Sequence, residues 1–205
     1  MEHLEEKETG RIEAFSDGVF AIAITLLVLD LKVPHADALR DGRLLAALLA
    51  QWPGFAAFLT SFATILVMWV NHHRLFSMVK RSDHAFLFWN GLLLLFVTFV
   101  PFPTALLAGY LMHPQSGVAA AVFSGTYVLI AIAYNGMWWH ASSDRRLIGR
   151  QVRAEEIEAI TRQYRVGPIF YLVAFAFSFV WPPVTIAICM GLALFFAFQP
   201  QAARG

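Results

Sequence analysis

Residues 11–34 read RIEAFSDGVFAIAITLLVLDLKVP, an apolar stretch with a hydroxyl and a carboxylate, Ser16 and Asp17, set side by side inside it. Three chemistries use such groups. A serine–carboxylate pair suggests a hydrolase, but neighbours on a helix diverge by about 100° and cannot face one substrate together. The chain also has no H-E-x-x-H or G-x-S-x-G motif. An intramembrane carboxylate can instead relay protons, here with His72 or His73 as partner. The adjacent histidines make a poor metal site, because zinc pairs sit at i, i+3 or i, i+4. The single cysteine, Cys189, lies in the run TIAICMGLALFF and excludes an intrachain disulfide or a Cys-rich metal centre. The third possibility is structural: the polar pair fastens a helix.

The elements that must position these groups are membrane spans. The chain has 205 residues, 59% hydrophobic and only 14% charged, with a mean hydropathy of +0.61. Soluble domains carry roughly 25% charged residues, so lipid is the expected solvent. From Ile12 to Leu31 a helix rises about 30 Å, one bilayer core. A carboxylate inside such a span costs a few kcal/mol unless it faces protein or water. The residues before it, MEHLEEKETGR, are acidic, and no A-x-A-like site follows, so the segment reads as a retained span rather than a cleaved signal.

The pattern predicts an all-α polytopic membrane protein, one domain over 1–205, with six spans at about 12–31, 53–70, 85–107, 118–139, 166–181 and 184–198. Pro101 and Pro103 should bend or end the third span, and Pro182–Pro183 should join the last two in a tight hairpin. Of the 15 Lys and Arg residues, all but Lys32, Arg40 and Arg43 fall on one side of this layout, which predicts cytosolic termini. Residues 141–165, with arginines mixed among acids at helical spacing, read as a cytosolic helical loop able to touch anionic lipid or simply to face water.

On the wheel of the first helix, Phe15, Gly18, Ile22, Leu26 and Leu29 fall on one stripe with Thr25 at its edge. Asp17 lies about 140° from Ile22, and Ser16 about 120° away on the other flank. Asp17 should sit about 9 Å below the cytosolic end. Near that depth the second span exits through Trp69, Asn71, His72, His73 and Arg74. The third enters past Trp89 and Asn90, and the fourth exits past Asn135, Trp138 and His140. A buried polar cluster centred on Asn71, His72, Trp89 and Asn90 is expected there, holding the first helix. Interfacial aromatics and snorkelling side chains are the competing reading, above all for Trp138 and His140.

The run Arg11-x-x-x-Phe15-Ser16-Asp17, at the head of the first of six spans, resembles the signature of the transmembrane protein 175 family of endosomal and lysosomal potassium channels and their prokaryotic relatives. The resemblance covers most of the chain and includes the lack of a TVGYG filter. It implies a potassium-selective passive channel in which the first helix lines the pore. Counted from Asp17, the family's aliphatic constriction falls on Ile22, Leu26 and Leu29, with Thr25 as a neighbouring polar layer. Arg11, Phe15, Ser16 and Asp17 would then fasten that helix from behind. One repeat per chain implies a homotetramer in a prokaryotic cell membrane. Its partners are potassium ions and lipid, with no cofactor and no nucleic acid.

Periodicity alone reads the Ile22 stripe as a lipid-facing or packing surface, and only the resemblance makes it a constriction. The alternative function is a proton-coupled cation carrier using Asp17 and His72 or His73. The chain shows no inverted repeat and no Gly/Pro-broken pair of spans for a midplane site.

Overall fold

The computed structural model describes residues 2–34 and 44–197, with side chains from Thr9 onward. Arg40, Arg43, Arg204 and the end of the sixth expected span at Phe198 lie outside the described residues, as does the side chain of Lys7. The described residues are helical: α1 (Glu2–Leu26), α2 (Leu44–Ala50), α3 (Trp52–Met78), α4 (His84–Phe99), α5 (Pro101–Tyr110), α6 (Ser116–Ser142), α7 (Ala154–Phe177) and α8 (Pro182–Ala197). Four stretches are long and apolar enough to cross a membrane: Thr9–Asp30, Trp52–Met78, His84–Tyr110 and Ser116–Arg145. α8 is a shorter apolar helix.

The helix α6 is the hub. It packs against α4, α5, α7 and α8, and 56% of its most apolar stretch is buried, against 22% for that of α1. Small residues permit the closest approach. A Cβ on Gly136 of α6 would sit 2.5 Å from the Trp89 ring of α4, so only glycine lets these two helices meet as they do. Deeper in the bundle, Ser61 bonds Thr104 at 2.7 Å and receives the Tyr127 hydroxyl at 3.2 Å, tying α3, α5 and α6.

Several boundaries differ from the sequence reading. α3 continues to Met78, so Asn71, His72 and His73 lie within the helix rather than in its exit loop. Proline divides the third expected span at Val100, whose φ of −52° and ψ of −39° keep α4 and α5 nearly in line. The expected helical loop 141–165 is two things. Residues 154–165 are the first turns of α7. The segment before them pairs with the α3–α4 loop, Lys80 N–H donating to Leu147 and Gly149 N–H to Met78, both at 2.9 Å.

That pairing sets the start of α4. Asp83 caps the helix, accepting from the Phe86 N–H at 2.9 Å, and its carboxylate meets His140 Nε2 at 2.8 Å. Burial pushes the Asp83 carboxyl up. The Phe86 N–H, His140 and the Arg146 charge outweigh burial and hold it below the usual carboxylate value.

Proline also shapes α7. Pro168 has no N–H for the Tyr164 carbonyl, its helical partner four residues back. Asn135 of α6 supplies the missing donor, its Nδ2 lying 2.8 Å from that carbonyl.

Asn135→Ala should therefore lower stability by about 1–3 kcal/mol, the penalty of an unpaired buried carbonyl. Adding Pro168→Ala restores an N–H and should return most of the loss in thermal unfolding. An equal loss in both backgrounds would refute the substitution of donor. For Asp83 the folded value is depressed, so its contribution is complete above the ordinary carboxylate value and disappears as pH falls through the folded one. Asp83→Asn should flatten the acid limb of the stability–pH curve that the wild type shows.

Candidate functional site

α1 is held from behind by two sets of contacts. The first is buried and directional. His72 Nε2 meets Asn90 Oδ1 at 3.0 Å, Asn90 Nδ2 donates to Ser16 Oγ at 3.1 Å, and Ser16 Oγ donates to the Ile12 carbonyl at 2.9 Å. Because Asn90 gives its amide protons to Ser16, its oxygen can only accept, which assigns the proton to His72 Nε2. The ring of His72 lies between Phe20 and Phe76, at centroid distances of 5.3 and 4.5 Å. Ser16, Asn90 and His72 are all buried.

The second set lies closer to the surface. Trp69 Nε1 donates to Asp17 at 2.8 Å, and His73 Nδ1 meets Glu13 at 2.7 Å. Glu13 and Asp17 are four residues apart on α1, as Trp69 and His73 are on antiparallel α3. The sequence reading passed over Glu13. The matched i, i+4 spacing on two helices was the available signal.

The opposite face of α1 is largely uncovered by the described residues. Phe15, Ile22, Leu26 and Leu29 are 68%, 60%, 42% and 69% exposed, while Phe20, Ala23 and Leu27 between them are buried. Leu29 needs a correction. It lies beyond α1, on a 3-10 turn over Leu27–Asp30, so the α-helical wheel does not apply to it. Residues three apart eclipse in 3-10 geometry, so Leu29 stays above Leu26 on the same face. Thr25 is exposed, and its hydroxyl donates to the Ile22 carbonyl at 2.9 Å.

The model of the family "Endosomal/lysosomal potassium channel TMEM175" matches residues 11–101. A potassium channel of Chamaesiphon minutus is 58% identical over 202 residues, covering 98% of this chain and 100% of that protein. The chain belongs to the TMEM175 family. It is thereby an integral membrane protein of a channel family, not an enzyme, with relatives in bacteria and, at 36% identity over 135 residues, the endosomal/lysosomal proton channel TMEM175 of Homo sapiens. A potassium channel of Streptomyces collinus is 48% identical over 193 residues, covering 94% of this chain and 93% of that one. The crystal structure of a lysosomal potassium-selective channel TMEM175 homolog from Chamaesiphon minutus superposes with a TM-score of 0.85 at 60% identity, over 93% of this chain and 97% of that one.

In this TMEM175 family member the signature residues divide. Ser16 and Asp17 bond to other helices. Arg11 and Phe15 do not: they line an open groove of ≈480 Å³ with Leu87 and Leu94 of α4, and Arg11 has no hydrogen bond or ion pair among the described residues. The expected polar cluster is also smaller than its candidates. His72 and Asn90 join Ser16. Asn71 turns to the Val67 carbonyl, Trp89 packs on Gly136, Trp138 bonds Thr161 and His140 bonds Asp83. Helix rotation is the reason, since adjacent residues such as Asn71 and His72 must diverge by about 100°.

Asn90→Leu leaves both Ser16 and His72 without their partner and should cost about 1–3 kcal/mol for each. Trp69→Phe removes only the exposed bond to Asp17 and should cost roughly 1 kcal/mol or less. Thermal unfolding of the two variants in detergent measures the difference, and equal losses would contradict this division of labour.

Proposed function

We propose that the chain is a potassium-selective passive cation channel, formed by four copies with α1 of each around a central pore. Six membrane crossings per chain, with the acidic N-terminus in the cytosol, complete this reading. One observation carries it. The stripe of Ile22, Leu26 and Leu29 is left exposed by its own chain while the back of the same helix is fastened to α3 and α4 through polar groups. A helix held only by lipid-facing packing needs no such buried tie. The names of the relatives, potassium channels of two bacteria, support the permeant ion.

In this reading, rings of Ile22, Leu26 and Leu29 narrow the pore and offer no oxygen ligand, so an ion must shed water to pass. Hydrophobic constrictions of this kind also gate by dewetting. Potassium gives up its water more readily than sodium, which favours it in passage. Thr25 adds the polar layer. Its proton is committed to the Ile22 carbonyl, so the lone pairs of the hydroxyl oxygen are what remain for a cation.

The carrier alternative draws no support from the polar groups. Asp17 bonds Trp69, His72 bonds Asn90 and His73 bonds Glu13, and no hydrogen bond joins the carboxylate to either histidine.

Flux into liposomes tests the proposal. The wild type should pass potassium faster than sodium without a proton gradient, and Ile22→Asn should lower that preference by widening and wetting the ring. Vesicles tight to potassium under every condition would end the channel reading. An Ile22→Asn variant with unchanged flux and preference would move the constriction elsewhere.

A further inference from the structure

The open groove beside Arg11 is lined by α1 on one side and by α4 with the loop before it on the other. The bond from Asn90 to Ser16 puts those two residues at one level, and both helices start at the proposed cytosolic end. Helical rise then places Arg11 about 7.5 Å from that level toward the cytosol and Leu94 about 6 Å from it toward the bilayer centre. The groove is therefore graded. Arg11 and Ser82 line its cytosolic mouth, and Phe15, Leu87 and Leu94 line the rest. Its floor is bare at Gly91, where a Cβ would meet no atom within 4 Å.

Arg11 is the only charged residue lining this groove, and it is exposed without a hydrogen bond or ion pair among the described residues. The acids at this end of the bundle are committed elsewhere. Glu13 meets His73, Asp17 accepts from Trp69, and Asp83 accepts from the Phe86 N–H and meets His140. A second copy of α1 laid in the groove would thus bring apolar surface but no available carboxylate from its described residues. A phospholipid brings both an anion and an acyl chain, and it enters from the side, so a groove with one open flank suits it.

We propose that this groove holds an anionic phospholipid, its phosphate at Arg11 and one acyl chain running over Gly91, between Phe15 and Leu87, toward Leu94. Only the assignment to the cytosolic leaflet rests on the orientation proposed for the channel. Phe15 lies on the same helical stripe as Ile22, two turns away. The acyl chain therefore touches the face of α1 that carries the proposed constriction.

Native mass spectrometry of the full chain in detergent, titrated with phosphatidylglycerol or phosphatidylcholine of matched acyl chains, tests the site independently of any flux. Phosphatidylglycerol should bind about fivefold more tightly, the contribution of one arginine near an anionic headgroup. Arg11→Gln should abolish that preference and Arg11→Lys should keep it. Arg150→Gln, at an exposed arginine outside the groove, should leave it unchanged. Gly91→Leu places a side chain in the groove and should weaken both lipids. Equal affinity for the two lipids, equal losses in Arg11→Gln and Arg150→Gln, or undiminished binding in Gly91→Leu would overturn the proposal. So would wild-type assemblies that retain no phosphatidylglycerol while Gly91→Leu falls apart into single chains, which would assign the groove to a second copy.

Discussion

A buried polar group in a membrane protein must find its partner inside the protein, because lipid offers none. In this chain the hydrogen-bonded line from His72 through Asn90 to Ser16 is where that constraint acts on the rest of the structure. It fixes the rotation of α1 about its own axis. With Ser16 turned inward, residues about 120° away are turned out, and Ile22 is among them. A rotation of one residue would strand a hydroxyl and two polar partners in an apolar bundle, and would bury the stripe that now stands exposed.

The exposed tie, from Glu13 and Asp17 to His73 and Trp69, acts differently. Its groups can find water, so it aligns two antiparallel helices without the same penalty for failure. Asp17 illustrates how a carboxylate is tolerated at this depth: one indole N–H and partial exposure suffice. The pair of ties holds α1 against α3 and α4, and leaves the stripe of Ile22, Leu26 and Leu29 exposed among the described residues.

Proline sets the other constraint. At Pro101 the helix restarts in nearly the same direction, and the Val97 carbonyl is served by the Val100 N–H at 3.2 Å. At Pro168 the chain is buried, and a side chain from another helix must serve the freed carbonyl. Asn135 thus ties α6 to α7 and takes no part in the cluster at Ser16.

Much of α1 was legible in the sequence. The apolar run, the Arg11-x-x-x-Phe15-Ser16-Asp17 motif and the stripe through Ile22 and Leu26 are periodicities within one helix, and a regular helix expresses them directly. The all-helical architecture follows likewise from the apolar composition. What the tertiary structure alone decided is which polar residues meet. Asn71 and His72 are adjacent and equally plausible as partners, yet only His72 reaches Asn90, because the rotational phase of α3 is set by its packing against α1, α5 and α8. The 3-10 turn under Leu29, the extension of α7 back to Ala154 and the pairing of Val79 with Ile148 have the same origin. Each depends on where a distant segment lies, and no local pattern carries that information.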